Sequence, residues 1–509
     1  MTGVVEVPLW LIALLALAAA VAILDRVLAP SLRWVLRRRL MRAVDDLNER
    51  LHLRIQPFAL MRRQSLVDRL TYDSEVMAAA EAHAAETGMP QDIVVRQVRE
   101  YAREIAPSFS ATMYFGVGAR ICRWIARLLY RVRLGAFDRD GLAAVGPEAS
   151  IVFAMNHRSN VDYLLVTHLA SESSTLSYAV GEWAQVWPLS RIIRSMGAYF
   201  VRRRSRDALY RAVLRRYVQM ATKGGVTQAM FPEGGLSRDG ALAPPKLGIL
   251  SYILDDFDPE GPRDVVFVPV GLNYDRVLED RLLLAAGGEA GGAGRFRVSF
   301  WAGLRFALAY LFGRLTGRAH RFGYACVSFG APLSLRAFLA EEGAAKEGDA
   351  PVERLGAVLA ERIGAVVPVL PVSLIAAVLM DADGPMTRPE LEAAAIDRAE
   401  RLAAAGAHLH IPRADLAYGV EAGLRMLTLR RIVAETAGGY VADPGEGEIL
   451  RFYANAIRHL SPSPSTDASA QSQCVIADVR HWASVTSFSS PNRGSSYHPQ
   501  SEHEHLRLQ

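Results

Sequence analysis

The sequence Ile151-Val-Phe-Ala-Met-Asn-His-Arg-Ser-Asn-Val-Asp162 joins a short apolar run to a loop of polar residues. An apolar run that ends in turn-forming residues predicts a buried strand followed by a loop. In this loop His157 can act as a base near neutral pH, while Asp162 hydrogen-bonds its other ring nitrogen and fixes the tautomer. The spacing alone is weak evidence, because His410 and Asp415 repeat it in a helical-looking region. The interpretation therefore depends on the later segments of the chain.

The middle third of the chain alternates apolar runs with helical patterns. Strands are predicted at 151–155, 226–231, 265–270 and 324–329, and helices at 208–221 and 247–254. Such alternation predicts an α/β fold with a central, mostly buried β-sheet flanked by helices. A further basic and apolar helix is predicted at 301–315, between the last two strands.

Changes in composition divide the 509-residue chain into five segments. We predict an N-terminal membrane anchor at 1–30, a helical region at 31–140, the α/β domain at 141–335, a C-terminal helical region at 336–460 and a disordered tail at 461–509. The tail opens with alternating serine and proline, and its apolar residues are too sparse to build a core.

The anchor is predicted from the uncharged stretch Val7 to Leu24, which approaches the ~20 residues that a helix needs to span a bilayer. Six arginines follow between positions 26 and 42, whereas the N-terminal flank carries only Glu6. The positive-inside rule therefore places the rest of the chain in the cytoplasm. A cleaved signal peptide is the alternative, but it would need a basic segment before the apolar run.

The helical segment 120–131 places four arginines along one face, with apolar residues beside them. Such a helix can lie on a membrane, or it can be a packed helix with a solvated arginine stripe. Only three of the 58 basic residues are lysines, so an arginine cluster is a weak signal here and a lysine is unusual.

Composition also bears on the partners of the protein. The net charge of +5 and the hydrophobic content of 51% suit anionic substrates and a membrane. The positive charge is dispersed and offset by 53 acidic residues, which argues against nucleic-acid binding. The three cysteines are scattered without metal-type spacing, so neither a zinc site nor a disulfide framework is predicted.

Two later segments carry candidate binding residues. Gly197-Ala-Tyr-Phe-Val-Arg-Arg-Arg204 presents Arg202 and Arg203 at the end of a strand-like run, where guanidinium groups can hold phosphate. Phe231-Pro-Glu-Gly-Gly-Leu-Ser-Arg-Asp-Gly240 caps the next strand with a glycine-rich turn, in which backbone N–H groups can approach a ligand closely. An ordinary tight turn with surface charges is the competing interpretation.

The glycine-rich turn also brings a carboxylate, Glu233, and a guanidinium, Arg238. Lys246 comes shortly afterwards, just ahead of a helical pattern. A cation is disfavoured near a helix N-terminus, so its presence is easier to understand if an anion binds between the two.

In this order the segments resemble the glycerol-phosphate acyltransferase family, specifically its bacterial membrane glycerol-3-phosphate 1-O-acyltransferases. The family has an HxxxxD loop, a G-A-F-F-I-R-R segment, an F-P-E-G-G-R-S-R turn and a later strand. These correspond to residues 157–162, 197–203, 231–240 and 268–274. Further similarity at 327–332 and 450–460 extends the resemblance over roughly residues 100–460.

The resemblance implies acyl transfer from acyl-CoA or acyl-carrier protein to the sn-1 hydroxyl of glycerol 3-phosphate, on the cytoplasmic side of the inner membrane. It implies no cofactor and no metal. His157 would be the general base, Asp162 its orienting partner and Glu233 a third catalytic residue. The implied substrate-binding residues are Arg158, Arg202, Arg203, Gly234, Gly235, Arg238 and Lys246. The family usually has Arg where this chain has Leu236, which bears on the acceptor.

Other functions remain as alternatives. A lysophosphatidate (sn-2) or dihydroxyacetone-phosphate acyltransferase would use the same loop, although the chain length and the segment ending Phe452-Tyr-Ala-Asn455 weigh against the sn-2 enzyme. A hydrolase would need a nucleophile, and no Gly-x-Ser-x-Gly elbow lies near His157. A non-catalytic scaffold would be free to lose the histidine and the two carboxylates, yet all three are present.

Overall fold

The computed structural model describes residues 56–461, apart from 59, 171–175, 182–184, 186–188, 203–204, 206, 288–304, 306–308, 311, 314–315, 317–319 and 343–350. The predicted membrane anchor, most of the helix predicted at 301–315 and the tail after 461 lie outside the described residues. Within the described ranges, no helix is both long and apolar enough to cross a bilayer.

The centre of the fold is a mixed β-sheet of eight strands. They are β1 (Arg131–Phe137), β2 (Ser150–Met155), β3 (Ser177–Gly181), β4 (Tyr199–Val201), β5 (Gln228–Met230), β6 (Val265–Tyr274), β7 (Tyr324–Phe329) and β8 (Leu333–Ser334). Their order is β1-β7-β6-β2-β5-β3-β4, and β8 pairs with the first half of β6. Strands β6, β2, β5, β3 and β4 run parallel, so the loops at their carboxyl ends open at one edge of the sheet.

Helices cover both faces of this sheet. They are α1 (Arg63–Thr71), α2 (Ser74–Thr87), α3 (Gln91–Ile105), α4 (Ala119–Leu129), α5 (Arg139–Ala143), α6 (Asp162–Ala170), α7 (Leu189–Ser195), α8 (Ala208–Lys223), α9 (Gly248–Leu254), α10 (Asp280–Gly287), α11 (Leu335–Glu342), α12 (Pro351–Ala365), α13 (Pro371–Met380), α14 (Arg388–Ala404), α15 (Leu416–Leu429) and α16 (Gly447–Asn455). A π-helical segment, Thr112–Gly118, precedes α4, and an antiparallel hairpin of β9 (Val433–Thr436) and β10 (Gly439–Ala442) lies between α15 and α16.

The sheet separates two apolar cores, because successive strand side chains point to opposite faces. Val152 and Ala154 of β2 join a core built with α1, α2, α3 and α8. Phe153 and Met155 join a second core that contains residues of α13, α14, α15 and α16. All ten residues of β6 are buried. Strands covered on both faces give continuous apolar sequence runs, which is why these strands are visible in the sequence.

The predicted α/β fold, with a central sheet flanked by helices, is confirmed, and several bounds are corrected. Strand β6 continues to residue 274, beyond the predicted end at 270, because β7 pairs with residues 270–274. The helical region predicted at 31–140 ends at Leu129 in α4; residues 131–137 form β1, where arginines alternate with apolar residues as on an edge strand. The hairpin β9–β10 interrupts the predicted helical region 336–460, since Gly439 at φ 119° allows the tight turn.

Candidate active site

The loop of residues 156–161, between β2 and α6, lies at the carboxyl edge of the sheet. It is named here the catalytic loop, after its predicted base. Asn156 fixes its start, because its Nδ2 donates to the Leu272 carbonyl at 2.9 Å and its Oδ1 accepts from the Leu272 N–H at 2.7 Å. A side chain therefore continues the pairing of β2 with β6 by one more residue. The next residue, His157, starts from a rigid position.

His157 and Asp162 form a buried pair in this loop. Nδ1 of His157 lies 2.9 Å from Oδ2 of Asp162, and neither residue is more than 1% exposed. The same carboxylate oxygen accepts the backbone N–H groups of Arg158 at 2.8 Å and Ser159 at 3.1 Å. A carboxylate that accepts from Nδ1–H assigns the lone pair of the neutral ring to Nε2. The predicted base and its predicted partner are therefore adjacent in the fold.

Tyr274, at the end of β6, holds the other oxygen of Asp162. Its hydroxyl donates a hydrogen bond to Oδ1 across a sequence separation of 112 residues. Tyr274 is fully buried, and burial, followed by the charge of Asp162, holds the pKa of its hydroxyl well above the ordinary value. The hydroxyl therefore keeps its proton and serves as a donor at physiological pH.

The imidazole of His157 stacks on Phe231, with ring centroids 3.9 Å apart and an interplanar angle of 21°. Tyr163 packs edge-on against the same phenyl ring at 5.0 Å. Phe231 comes directly after β5, the strand beside β2, so the neighbouring strand holds the ring plane in place. The orientation of the imidazole is thus set by a hydrogen bond on one side and by an aromatic contact on the other.

Glu233 joins the glycine-rich turn to the catalytic loop through the backbone. Its Oε1 accepts the N–H of His157 at 3.2 Å, and its Oε2 accepts the N–H of Ala243 at 3.3 Å. The N–H of Ser237 completes the connection by donating to the carbonyl of His157 at 2.9 Å. Burial raises the pKa of Glu233 to about 7, although these backbone donors and Arg158 oppose the rise. The carboxyl therefore holds the loop in place through its backbone.

Gly234, Gly235 and Lys246 lie together at the turn. Gly234 has φ +67°, and a β-carbon there would lie 2.6 Å from Cδ of Lys246. The lysine stem therefore runs across the glycine, with its exposed ammonium group over the turn. Within the described ranges, this ammonium has no carboxylate partner within 4 Å. Among the described residues Lys246 is therefore available to pair with an anion, and that role stays a prediction.

Arg158, predicted to bind substrate, is buried instead beneath the loop. It is 3% exposed, its guanidinium donates to the carbonyl of Gly240, and its Cζ lies 5.2 Å from the ring centroid of Phe452 in α16. Burial lowers the pKa of Arg158, although the nearby carboxylates Glu233 and Asp162 favour its charge. These contacts make it a residue that joins the loop to the C-terminal helix.

The other predicted arginines have different surroundings. Arg202 comes directly after β4, three strands from β2, which is roughly 14 Å across the sheet. Its Nε and Nη2 pair with Glu104 at 2.9 and 2.5 Å. Arg238 is exposed and donates to the carbonyl of Ala286 at 3.2 Å. Arg203 lies outside the described residues.

Glu279, like Tyr274, contacts the site and is not among the residues predicted from the sequence. Its carboxylate accepts the hydroxyl of Ser159 at 2.9 Å and the N–H of Asn160 at 2.6 Å, so it holds the far side of the catalytic loop. Tyr274 has a partial signal, because it ends an apolar run that could form one wall of a pocket. Glu279 has none, since it lies in an unremarkable charged segment.

The repeated spacing at His410 and Asp415 produces no such pair. Asp415 is the N-cap of α15 and accepts the N–H of Tyr418 at 3.1 Å, while the ring of His410 packs 5.0 Å from that of Tyr324. The two sites differ in their local structure, because at His157 a strand end and a helix start bring the partners together. Among the described residues, no three His, Cys, Asp or Glu side chains are grouped closely enough to hold a metal ion.

Comparisons with known proteins show which families this sequence resembles. Residues 138–273 match the model of the Acyltransferase family, and residues 310–488 match the model of the glycerol-3-phosphate acyltransferase C-terminal region. A glycerol-3-phosphate acyltransferase of Pseudomonas putida is 26% identical over 81% of this chain and 50% of its own length. One of Aeromonas hydrophila is 29% identical over 82% of this chain and 52% of its own length. The chain thus spans about half the length of these curated relatives.

Among solved structures, the 1-acyl-sn-glycerophosphate (LPA) acyltransferase PlsC from Thermotoga maritima is similar at 17% identity, covering 56% of this chain and all of that one, with a TM-score of 0.27. The sequence models are more informative. The first spans the strands from β2 to β6 together with the histidine, the aspartate and the glutamate of the loop and turn, and the second covers the C-terminal helices that pack on them. The chain therefore carries an Acyltransferase region followed by a glycerol-3-phosphate acyltransferase C-terminal region, and it resembles curated glycerol-3-phosphate acyltransferases over about 80% of its length.

Proposed function

We propose that this protein transfers a fatty acyl group from acyl-CoA or acyl-carrier protein to the sn-1 hydroxyl of glycerol 3-phosphate, giving lysophosphatidate for phospholipid synthesis. The observation that carries the proposal is the buried His157–Asp162 pair, which Glu233 ties to the glycine-rich turn. An oriented neutral imidazole is suited to deprotonate an alcohol. The names of the relatives support glycerol 3-phosphate as that alcohol.

In the proposed reaction, Nε2 of His157 takes the proton of the acceptor hydroxyl as its oxygen attacks the thioester carbonyl. The tetrahedral adduct then expels the thiol group, which leaves with the proton that His157 had taken. Asp162 stabilises the imidazolium formed between these steps. No acyl-enzyme is formed and no cofactor or metal is required, because the thioester is already an activated acyl group.

Backbone N–H groups of the glycine-rich turn are the candidates to stabilise the developing oxyanion. The N–H of Gly234 donates to the carbonyl of Phe231 at 3.0 Å and is therefore engaged within the turn. Gly235 is the remaining candidate of the two predicted glycines. Its position next to Gly234, over which Lys246 runs, would place the oxyanion and a cation on the same side of the turn.

We assign the acceptor phosphate first to Lys246, with Arg238 as a neighbouring exposed cation. Arg202 is a weaker candidate, because it would have to give up Glu104 or share it with the substrate. Leu236 stands where the family usually has an arginine and packs against the apolar core. Lys246 is therefore proposed to supply the charge that this position lacks.

We also propose that the protein acts at the cell inner membrane with its catalytic domain on the cytoplasmic side. The uncharged segment Val7 to Leu24, outside the described residues, is the proposed anchor. Helix α4 adds support, because Ile121 and Trp124 are 49% and 56% exposed, and Arg120 and Arg127 beside them are exposed as well. Apolar side chains flanked by arginine suit an anionic lipid surface.

The test is an acylation assay of the purified full chain. Radiolabelled glycerol 3-phosphate, dihydroxyacetone phosphate and lysophosphatidate are each offered with acyl-CoA and with acyl-carrier protein. We expect labelled lysophosphatidate from glycerol 3-phosphate. Acylation of lysophosphatidate alone, or of dihydroxyacetone phosphate in preference, would instead establish the corresponding alternative activity.

His157→Ala should lower the rate by at least about 100-fold, the usual contribution of a general base. The matched control is His410→Ala, which removes the other histidine that has an aspartate five residues later. It should retain nearly full activity, since His410 and Asp415 form no pair. Near-normal activity of His157→Ala would defeat the assignment of the base.

A further inference from the structure

A cleft of about 350 Å³ opens beside the catalytic loop, where the chain leaves β6 and enters α10. Its polar lining consists of Arg276, Glu279, Asp280, Arg281 and Arg430. We propose that this cleft, named here the Arg276 cleft, binds a phosphate group of one of the two substrates through Arg276. The inference rests on the proposed acyl transfer and adds a binding residue that neither the sequence motifs nor the family resemblance indicated.

The two carboxylates of the cleft are already engaged. Glu279 accepts hydrogen bonds from Ser159 and Asn160 of the catalytic loop. Asp280 accepts from Nη2 of Arg430 at 2.6 Å and from the hydroxyl of Tyr453. Each carboxylate thus has its own partners, and neither lies within 4 Å of Arg276.

The three guanidinium groups of the cleft are not equally compensated. Arg430 is paired with Asp280, and Arg281 is paired with Glu446 at 2.8 Å. Arg276 has no carboxylate within 4 Å among the described residues, and its buried Nε has no hydrogen-bond acceptor there. With Glu446 counted as the partner of Arg281, the charges around the cleft balance, and Arg276 is the guanidinium that has no carboxylate within 4 Å among the described residues.

The surroundings of Arg276 are those of a guanidinium prepared to meet an anion. Its Cζ lies 4.1 Å from the ring centroid of Phe322, so the aromatic face holds the planar group in place. Burial and then repulsion from Arg430 lower the pKa of Arg276. A phosphate between the two arginines would replace this repulsion with charge-assisted hydrogen bonds.

The position of the cleft connects it to the reaction. Glu279 forms its wall and bonds directly to Asn160, three residues after His157. Three residues of extended chain span at most about 10 Å, so the wall is roughly within 15 Å of the base. Two sources of phosphate fit this range: the phosphate of glycerol 3-phosphate, and the phosphate at the end of the pantetheine arm of coenzyme A or acyl-carrier protein.

Calorimetric titration of the full chain, in detergent micelles, tests the cleft without the reaction. The probes are glycerol 3-phosphate, coenzyme A and pantetheine, which has the arm of coenzyme A and no phosphate. Arg276→Gln should raise the Kd of one phosphate-bearing probe by about 10-fold and leave any pantetheine binding unchanged. The probe that loses affinity identifies the substrate whose phosphate occupies the cleft.

Arg388→Gln is the matched control, because it removes an arginine from an exposed pair with Glu421 on the C-terminal helices. It should bind both probes like the wild type. Arg276→Lys should weaken binding by about 3-fold, since it keeps the charge and loses the planar fork. It supplies the comparison if Arg276→Gln does not fold.

Wild-type Kd values for both phosphate probes in the Arg276 variants would overturn the inference, and so would a wild-type protein that binds neither probe. If the protein acylates glycerol 3-phosphate but the Kd values of the phosphate probes do not depend on Arg276, the inference about the cleft is wrong and the proposed function stands. If the protein binds coenzyme A through Arg276 but acylates none of the acceptors, the proposed function is wrong and the inference about the cleft stands.

Discussion

Asp162 is the residue on which the geometry of the catalytic loop depends most. Its Oδ2 accepts from the ring of His157 and from two backbone N–H groups, and its Oδ1 accepts from the hydroxyl of Tyr274. Hydrogen bonds to an ionised group are about twice as strong as those between neutral groups. A carboxylate held at both oxygens cannot rotate away from the imidazole, so Tyr274 is a positioning residue for the proposed base.

Tyr274→Phe should lower kcat by about 10-fold, because it removes one hydrogen bond to a charged group. The acidic limb of the kcat/KM profile against pH should also move to higher pH. Without the tyrosine donor, more of the carboxylate charge acts on the imidazolium and stabilises it. The other ionisable groups around the pair include Glu233, Glu279, Arg158 and Tyr163, and the substitution leaves them in place.

The control for this variant is Tyr130→Phe. Its ring lies 5.3 Å from that of Tyr274, but its hydroxyl donates to the Arg276 carbonyl and not to Asp162. The acidic limb of the kcat/KM profile should stay at the wild-type pH in Tyr130→Phe. An unmoved limb in Tyr274→Phe as well would show that the tyrosine contributes packing alone.

At this scale the sequence predicts residues that come after apolar runs and misses residues inside them. His157, Asp162 and Glu233 are predictable because polar loops after strands are visible, and the structure brings all three together. Their catalytic roles stay predictions. Tyr274 cannot be paired with Asp162 from the sequence, because the contact depends on the register between β6 and β2.

The turn that ends at Gly240 packs closely against helix α16. Gly240 has φ +86°, and a β-carbon there would overlap the carbonyl oxygen of Phe452. Asn455 strengthens the contact by donating to the Asp239 carbonyl at 3.0 Å. The turn that contains Glu233 is therefore built against a helix from the C-terminal region.

Gly240→Ala should destabilise the protein by about 2 kcal/mol or more, since it adds both a left-handed backbone penalty and a backbone clash. It should also lower activity, because the displaced turn carries Glu233. Gly248→Ala is the control, as a β-carbon at Gly248 meets nothing within 4 Å. Thermal unfolding and the acylation assay would measure both variants, and equal midpoints for the two would contradict the importance of the contact.

Strands buried on both faces can be predicted from the sequence. Strands whose conformation depends on pairing with a distant strand cannot. Strands β2 and β7 have the expected bounds because their apolar runs end where their burial ends. Strand β1 is partly exposed and falls within a predicted helical region, since its arginines continue the spacing of α4. Its strand character comes from pairing with β7, almost 200 residues later in the chain.

For the whole molecule, two buried carboxyl groups couple stability to pH. Burial raises the pKa of Glu233 and of Asp275 to about 7. In the unfolded chain such groups titrate near 4, so the folded protein binds more protons between these values. The stability they contribute is therefore present at low pH and is lost as pH rises through about 7.

We expect these two carboxyls to lower the free energy of unfolding by on the order of 1 kcal/mol each between about pH 6.5 and pH 8.5, the upper end of the range over which they lose their protons. The buried histidines His408, His410 and His459 offset part of this loss. Burial lowers their pKa, so they act with the opposite sign as the histidines of the unfolded chain lose their protons around pH 6.5. Calorimetry across the pH series would measure the slope.

Asp275→Asn should flatten this slope, because the amide does not titrate. Asp275 joins the sheet to the C-terminal helices by accepting the N–H groups of Tyr324 at 2.7 Å and Val372 at 3.1 Å. The variant will be less stable at every pH, since one oxygen becomes a donor facing a donor. A slope as steep as that of the wild type would assign the pH dependence to other groups.

The burial of Arg158 against helix α16 has a consequence for the folding of the chain during synthesis. Arg158 packs against Phe452, which is synthesised almost 300 residues later. A chain still emerging from the ribosome therefore exposes the arginine to water long after the HxxxxD loop has been synthesised. Until α16 leaves the exit tunnel, the loop lacks the helix that covers it. We therefore expect nascent chains stalled before Phe452, and chains cleaved there by a protease, to lack acyltransferase activity even though they contain the proposed base and its partner.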